Sequence, residues 1–226
     1  MIALEAKDLY CRFPGMEEYI LNGISLSLSE GEILALTGAS GVGKSTLCYC
    51  LLGLIPRIVK GRVQGEIYVC GQPLAEISRA DYARAVGIVM QNPDDQLFSP
   101  SIEGEIAFGP ENLCLPREEI GRRIAAALAM VGMEEYRYAS PMHLSGGQKQ
   151  LIALAAVLAL EPKIFVFDEA LSQLDPETKE KIKAIIVMLK EKGHAILMVE
   201  HDFANMEIAS RILTVRSGRI MEEKRP

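Results

Sequence analysis

The chain has 226 residues, 49% of them hydrophobic, and a formal net charge of −6. That length suits one α/β domain with a sizeable insertion, or two small domains. The acidic balance argues against a general nucleic-acid binder, which carries a basic face, and five cysteines without a C-x-x-C spacing read as buried, reduced thiols rather than a metal or disulfide framework. Met1 to Asp8 has no signal-peptide layout. The longest apolar run, Leu151 to Leu160, is about half of what a bilayer crossing requires, so a soluble chain is expected.

Two strands open the chain, Ile2 to Tyr10 and Ile20 to Leu28, with a turn at Pro14-Gly15 between them. Apolar and polar residues alternate in Ile24-Ser25-Leu26-Ser27-Leu28, the pattern of an antiparallel sheet with one exposed face. An aromatic ring near the turn, Phe13 or Tyr10, is placed either to stack on a nucleotide base or simply to fill the core.

Glu32 to Thr37 is a short apolar strand. It runs into Gly38-Ala39-Ser40-Gly41-Val42-Gly43-Lys44-Ser45-Thr46, which satisfies G-x-x-x-x-G-K-[ST] in full. Leu47, Leu51 and Leu54 then recur at helical spacing. Strand, glycine loop and helix, in that order, make a phosphate-binding loop. The glycines let successive backbone N–H groups turn inward, and the helix start adds partial positive charge at the same spot. Lys44 is expected to reach the β- and γ-phosphates, and the Ser45 hydroxyl to ligate Mg²⁺. A nucleoside triphosphate is the implied ligand; the loop alone does not say for which enzyme.

Gly61, Gly65 and Gly71 bracket a short strand from Glu66 to Cys70, and Ser78 with Asp81 has capping-box spacing for a short helix. Val86 to Met90 reads as a buried strand ending at Gln91. Residues just past the carboxyl ends of strands in an open α/β sheet face the ligand. Gln91 is therefore placed to touch the metal or the attacking water.

Residues 92–160 change character. Asn92-Pro93-Asp94-Asp95 is a polar turn, and Ile120, Ile124, Leu128 and Val131 mark an amphipathic helix opened by Pro116 to Glu119. The region reads as a helical subdomain inserted in the core, which itself comprises 1–91 and 161–226. Leu144-Ser145-Gly146-Gly147-Gln148 then precedes Leu151, Leu154, Ala155 and Leu158 at i, i+3, i+4, i+7. Ser145 and Gln148 form a capping box, which a core helix also uses. Two glycines go beyond capping: they uncover backbone N–H groups and make a second anion site.

Ile164-Phe165-Val166-Phe167 is a buried parallel strand with Asp168 and Glu169 at its exit. Asp168 is expected to hold Mg²⁺, directly or through water, and Glu169 to polarise the attacking water as general base. Asp175 is an N-cap with Pro176 at N1, and Ile182, Ile185, Ile186 and Leu189 give that helix its core face. Ala195 to Val199 is another buried strand, ending at Glu200-His201. His201 is either structural or placed to contact the γ-phosphate. Arg211 to Arg216 and Arg219 to Glu222 read as a hairpin at Ser217-Gly218, after which the chain stops with no added domain expected.

The ordered set resembles ATP-binding cassette (ABC) ATPases across nearly the whole chain: Walker A at 38–46, a Q-loop at Gln91, LSGGQ at 144–148, Walker B at 164–168 with Glu169, a D-loop at 172–175 and an H-loop at His201. The resemblance implies an α/β P-loop NTPase core with a mixed sheet, an N-terminal antiparallel β subdomain and an inserted helical subdomain. It implies ATP and Mg²⁺ as cofactors, and two cassettes, identical or not, sandwiching two ATPs. Each site then joins the P-loop of one subunit to Ser145–Gln148 of the other. By the same likeness Phe13 occupies the adenine-stacking place, His201 senses the γ-phosphate and Asp175 communicates across the dimer.

A narrower likeness lies in Met90 to Phe98 and Glu105 to Asn112, which look like the ATPases of energy-coupling factor (ECF) transporters, a group that includes cobalt, nickel and vitamin importers. It implies docking to a transmembrane coupling subunit that acts with a substrate-binding membrane subunit, at the cytoplasmic face of the membrane. Nucleic acid is not an expected partner, since soluble ABC proteins of that kind carry coiled-coil insertions or a basic linker. Departures from the family pattern are Leu151 where Arg is common, Gln173 for a small residue, Phe13 for Tyr, and the lack of a C-terminal extension, so pairing is expected to depend on ATP or on the membrane partner.

Overall fold

The computed structural model describes residues 1–223. In chain order they form β1 (Ile2–Arg12), β2 (Leu21–Ser29), β3 (Ile33–Thr37), α1 (Lys44–Leu51), α2 (Leu54–Arg57), β4 (Arg62–Val69), β5 (Gln72–Pro73), α3 (Arg79–Ala85) and β6 (Val86–Val89). Then come α4 (Ile102–Asn112), α5 (Arg117–Val131), α6 (Gly146–Leu158), β7 (Ile164–Asp168), α7 (Pro176–Glu191), β8 (Ala195–Val199), β9 (Arg211–Arg216) and β10 (Arg219–Glu223).

The strands make two sheets. An antiparallel one runs β2-β1-β4-β5, and a six-stranded one runs β10-β9-β3-β8-β7-β6. In the second, β6, β7, β8, β3 and β9 are parallel and β10 returns antiparallel on β9. Both faces of this sheet are covered. Ile33, Ala35, Ile196 and Met198 pack on the side of α4 to α7, while Leu34, Leu36, Leu197 and Val199 pack toward α1 and the antiparallel sheet. This double burial is why 164–167 and 195–199 are apolar runs without alternation. The fold class read from the sequence is borne out.

The helices seat where their apolar stripes require. Ile120, Ile124, Leu128 and Val131 of α5 are buried, as are Ile182, Ile185, Ile186 and Leu189 of α7. Each such side chain contributes about 1.5–3 kcal/mol relative to leaving it in water.

Several local expectations need correction. The helix after the glycine loop ends at Leu51, the chain turns at Gly53, and Leu54 belongs to α2. The strand placed at 66–70 begins at Arg62 and carries Gly65 inside it. There β1 and β4 slip register between Lys7 and Tyr10, and a Cβ at Gly65 would collide with the Asp8 carbonyl. Ser78 caps α3 through the Asp81 N–H, but the Asp81 carboxylate accepts from the Ser78 hydroxyl rather than from the Ser78 N–H, so only half a capping box forms. Helix α4 leaves no clear trace in the sequence pattern: Gly104, Gly109 and Pro110 obscure its period, although Ser101 caps it. Cys11, Cys48 and Cys50 are buried, but Cys70 is half-buried and Cys114 exposed. Among the described residues no helix is long and apolar enough to cross a membrane.

Candidate functional site

Strands β3, β8, β7 and β6 lie side by side and parallel, so their carboxyl ends share one edge of the sheet. Four chain segments leave that edge in the same order: residues 38–46, Glu200-His201, Asp168-Glu169 and Gln91. Sequence positions more than a hundred apart become neighbours through strand order alone.

The glycine loop is built for close backbone approach. Gly38 has φ +142°, and a Cβ there would collide with the Val215 carbonyl. Helix α1 starts at Gly43 without a side-chain cap and with no acidic residue in its first turn. Its orphan N–H groups and partial positive charge are thus uncompensated by the chain. Ala39, Ser40, Gly41 and Ser45 are exposed, and Val42 and Thr46 half-buried. Lys44 is buried and folds back, its Nζ donating to the carbonyls of Gly38 (2.9 Å) and Ala39 (3.0 Å).

The acidic pair stands at the end of β7. Burial pushes the Asp168 carboxyl up, the charge of Glu169 adds to this, and Lys44 opposes it. Glu169 sits at φ +49°, a left-handed conformation uncommon for a side-chain-bearing residue. Three bonds hold it there: its N–H donates to Val199 O (2.9 Å), and its carbonyl accepts from the Ser172 N–H (3.0 Å) and hydroxyl (2.7 Å). The exposed His201 presents Nδ1 3.7 Å from Glu169 Oε2. Gln91 Nε2 donates to Ser172 Oγ at 3.3 Å, so the ends of β6 and β7 meet through that hydroxyl.

Magnesium fits this donor set. Ser45 and Asp168 supply hard oxygens, and an acidic pair opposed by one lysine is short of positive charge. Among the described residues no cluster of three or more His, Cys, Asp or Glu offers a complete metal cage. Two protein oxygens with phosphate and water is a usual magnesium arrangement.

Phe13 lines an open cleft of about 600 Å³ with Arg12, Met16, Lys60 and Arg62. Tyr10, the other aromatic considered, packs edge-on against Tyr19 at 5.5 Å instead. A larger cleft, about 680 Å³, lies between α2 and the β4–β5 edge, away from the glycine loop.

The second glycine motif opens α6. Ser145 and Gln148 complete a reciprocal capping box, the Ser145 N–H to Gln148 Oε1 at 2.9 Å and the Gln148 N–H to Ser145 Oγ at 3.3 Å. That leaves the N–H groups of Gly146 and Gly147 among the helix's orphans. A Cβ on Gly146 would meet nothing within 4 Å, whereas one on Gly147 would lie 2.9 Å from Thr178 Oγ1 and 3.1 Å from Asp175 Oδ2. Asp175 caps α7 through Thr178 N (2.9 Å) and Oγ1 (2.7 Å). Among the described residues no hydrogen bond joins 38–46 to 145–148. The structure thus gathers Lys44, Gln91, Asp168, Glu169 and His201 at one sheet edge, and Gly146 lines a cleft with Gln91 and Ser172 without a bond to the glycine loop.

Burial accounts for one departure and backbone conformation marks another. Leu151 is buried in the core under α6, and Gln173 takes φ +60°. Three residues that the sequence reading gave no role also brace the site. Gln96 accepts from Met90 N and donates to Ile88 O, Gln150 donates to Met90 O, and Glu200 is almost wholly buried behind His201. A long-range glutamine bond leaves no periodic trace in a sequence.

Comparison with known proteins finds a matching family and fold. Residues 21–172 match the family model described as ABC transporter. A putative ABC transporter ATP-binding protein of Methanosarcina acetivorans is 46% identical over 96% of this chain, which spans only 34% of that relative's length. The energy-coupling factor transporter ATP-binding protein EcfA of Methanocaldococcus jannaschii is 38% identical over 100% of this chain and 80% of its own. The solved structure of cbiO1 from Clostridium perfringens, described as part of the ABC transporter complex cbiONQ, superposes with a TM-score of 0.85 at 33% identity, covering 97% of this chain and 87% of that one.

Proposed function

The chain belongs to the ABC transporter family, and from that premise we propose that it is an ATP-hydrolysing subunit that pairs with a second such subunit on binding ATP and powers import through an ECF-type membrane complex. The observation that carries this reading is the divided site. Lys44, Asp168, Glu169, His201 and Gln91 share one sheet edge, while among the described residues the N–H groups of Gly146 and Gly147 make no hydrogen bond to the glycine loop of their own chain. A phosphate on the glycine loop is then half-coordinated until a second copy supplies its α6 start. The import role rests on relatives that carry ECF and cobalt-import names.

Each residue has a task in that reading. Phe13 stacks on the adenine ring. The N–H groups of 38–46 cradle the phosphates, and Lys44 exchanges its bonds to Gly38 O and Ala39 O for the β- and γ-phosphate oxygens. Ser45, Asp168 and Gln91 would hold Mg²⁺, which would supply positive charge against the phosphates. Glu169, fixed by its three backbone bonds, polarises the attacking water, and His201 contacts the γ-phosphate. Ser145 to Gln148 close on the partner's nucleotide, and Asp175, lying against Gly147, transmits the closure to α7. The chain sits at the cytoplasmic face of the membrane, where a coupling subunit reaches the surface near Gln91.

Sedimentation of the chain with and without non-hydrolysable ATP, alone and with membrane subunits that co-purify with a tagged copy, tests this. Tighter association with nucleotide supports it; equal association under every condition overturns it.

A further inference from the structure

The turn that carries His201 contains a buried carboxylate with no part in the proposed chemistry. Glu200 is 1% exposed, and its Oε1 has no hydrogen-bond partner. Burying a carboxylate without full pairing is costly, so what it holds matters. Its N–H donates to Leu36 O at 3.0 Å, tying the start of the turn to β3 two residues before the glycine loop. Its Oε2 accepts from Asn205 Nδ2 at 3.3 Å, and Asn205 is itself 3% exposed. The side chain therefore bridges the two ends of the segment 200–205, with His201 at its exposed corner.

Among the described residues the His201 ring makes no hydrogen bond of its own. Its ring is exposed, and its nearest charged neighbour, Glu169 Oε2, is 3.7 Å away, too far for a hydrogen bond. The far side of the turn is secured separately: Lys183 of α7 donates to Ala204 O (3.0 Å) and Glu207 Oε1 (2.7 Å). Asp202 caps Ala204 N at 3.0 Å. Asp202 holds the C-terminal neighbour of the imidazole within the turn, while the Glu200 bonds hold its N-terminal neighbour and tie it to β3. Across the sheet, Leu36 pairs with Val199 and Thr37 with Thr214, so Glu200 follows in the row of Thr37 and Thr214. Thr214 Oγ1 is likewise buried and unpaired. The row joins the roots of the glycine loop and of the His201 turn.

We infer that Glu200 is a positioning residue for His201, holding the imidazole at a fixed place relative to the glycine loop through its bridge to Asn205 and β3. The inference rests on the proposed contact of His201 with the γ-phosphate.

The test is steady-state ATP hydrolysis by the full chain, with its co-purifying partners, for Glu200→Ala, Glu200→Gln, Asn205→Ala, His201→Ala and the double variant Glu200→Ala/His201→Ala. Displacing a group that must meet a reacting phosphate lowers kcat, so Glu200→Ala is expected to lose about tenfold in kcat with KM for ATP nearly unchanged. Glu200→Gln keeps an oxygen for Asn205 and restores most of the rate. The double variant is no slower than His201→Ala, because Glu200 acts through that residue. If Glu200→Ala does not fold, Asn205→Ala cuts the same bond from the other end and is read in the same way. Multiplying losses in the double variant, or wild-type kcat in folded Glu200→Ala or Asn205→Ala, overturn the inference while leaving the site reading intact. Wild-type kcat in His201→Ala overturns both.

Discussion

His201 Nδ1 and Glu169 Oε2 stand 3.7 Å apart across the ends of β8 and β7. The gap is too long for a hydrogen bond yet within reach of a shared ligand. Two side chains at that spacing, each anchored through its own backbone, can contact one reacting group from the same side without locking each other.

The first prediction concerns Glu169. Its backbone bonds to Val199 and Ser172 do not involve the carboxylate, so Glu169→Gln should fold normally. Removing a general base costs about 10²–10⁴-fold in rate. Phosphate release should fall by that order while ATP binding and ATP-driven pairing persist. Hydrolysis at the normal rate in this variant would remove Glu169 from the role of base.

Gly146 and Gly147 should answer differently to alanine. At Gly147 the new Cβ presses on Thr178 Oγ1 and Asp175 Oδ2, which are tied into the cap of α7. Weakening that cap costs about 1 kcal/mol, and a lower denaturant midpoint should follow. At Gly146 the Cβ meets open space, so the isolated chain should keep its stability and lose only nucleotide-dependent association. Equal stability losses in both variants would contradict the packing difference.

Leu151 stands where related ATPases commonly have arginine, and it is 5% exposed within the α6 core. Leu151→Ala should destabilise the chain by about 2–5 kcal/mol, the range for a buried leucine truncated to alanine. Equilibrium urea unfolding measures it. A loss below about 1 kcal/mol would mean that the site collapses or is wetter than its burial indicates.

Asp175 supplies a pH dependence. The Thr178 N–H and hydroxyl hold its carboxyl below the ordinary value. A depressed folded pKa gives stability that is present above the unfolded value of about 3.9 and is lost as pH falls through the folded one. Asp175→Asn keeps an acceptor but cannot titrate. The stability difference between wild type and Asp175→Asn should therefore shrink as pH drops below about 4. A difference constant across that window would show that the cap does not depend on charge.

Much of this was legible along the chain because its signals are local. The glycine loop, the apolar runs with acidic or amide residues at their exits, and the i, i+3, i+4, i+7 stripes of α5 and α7 each lie within one element. Where glycine or proline broke the period, as in α4 and β4, the reading failed or misplaced a boundary, because those residues hide the spacing on which the inference depends.

Sequence alone determined which groups are present and that each leaves the carboxyl end of a strand: Lys44 after β3, Gln91 after β6, Asp168 and Glu169 at β7, His201 after β8. Tertiary structure decided that these four strands are adjacent, that Glu200 is buried behind His201, and that Gly147 yields its space to Asp175. The physical reason is that a parallel strand finds its neighbour through a long crossover whose destination depends on the packing of both sheet faces at once. No single stretch of residues carries that choice.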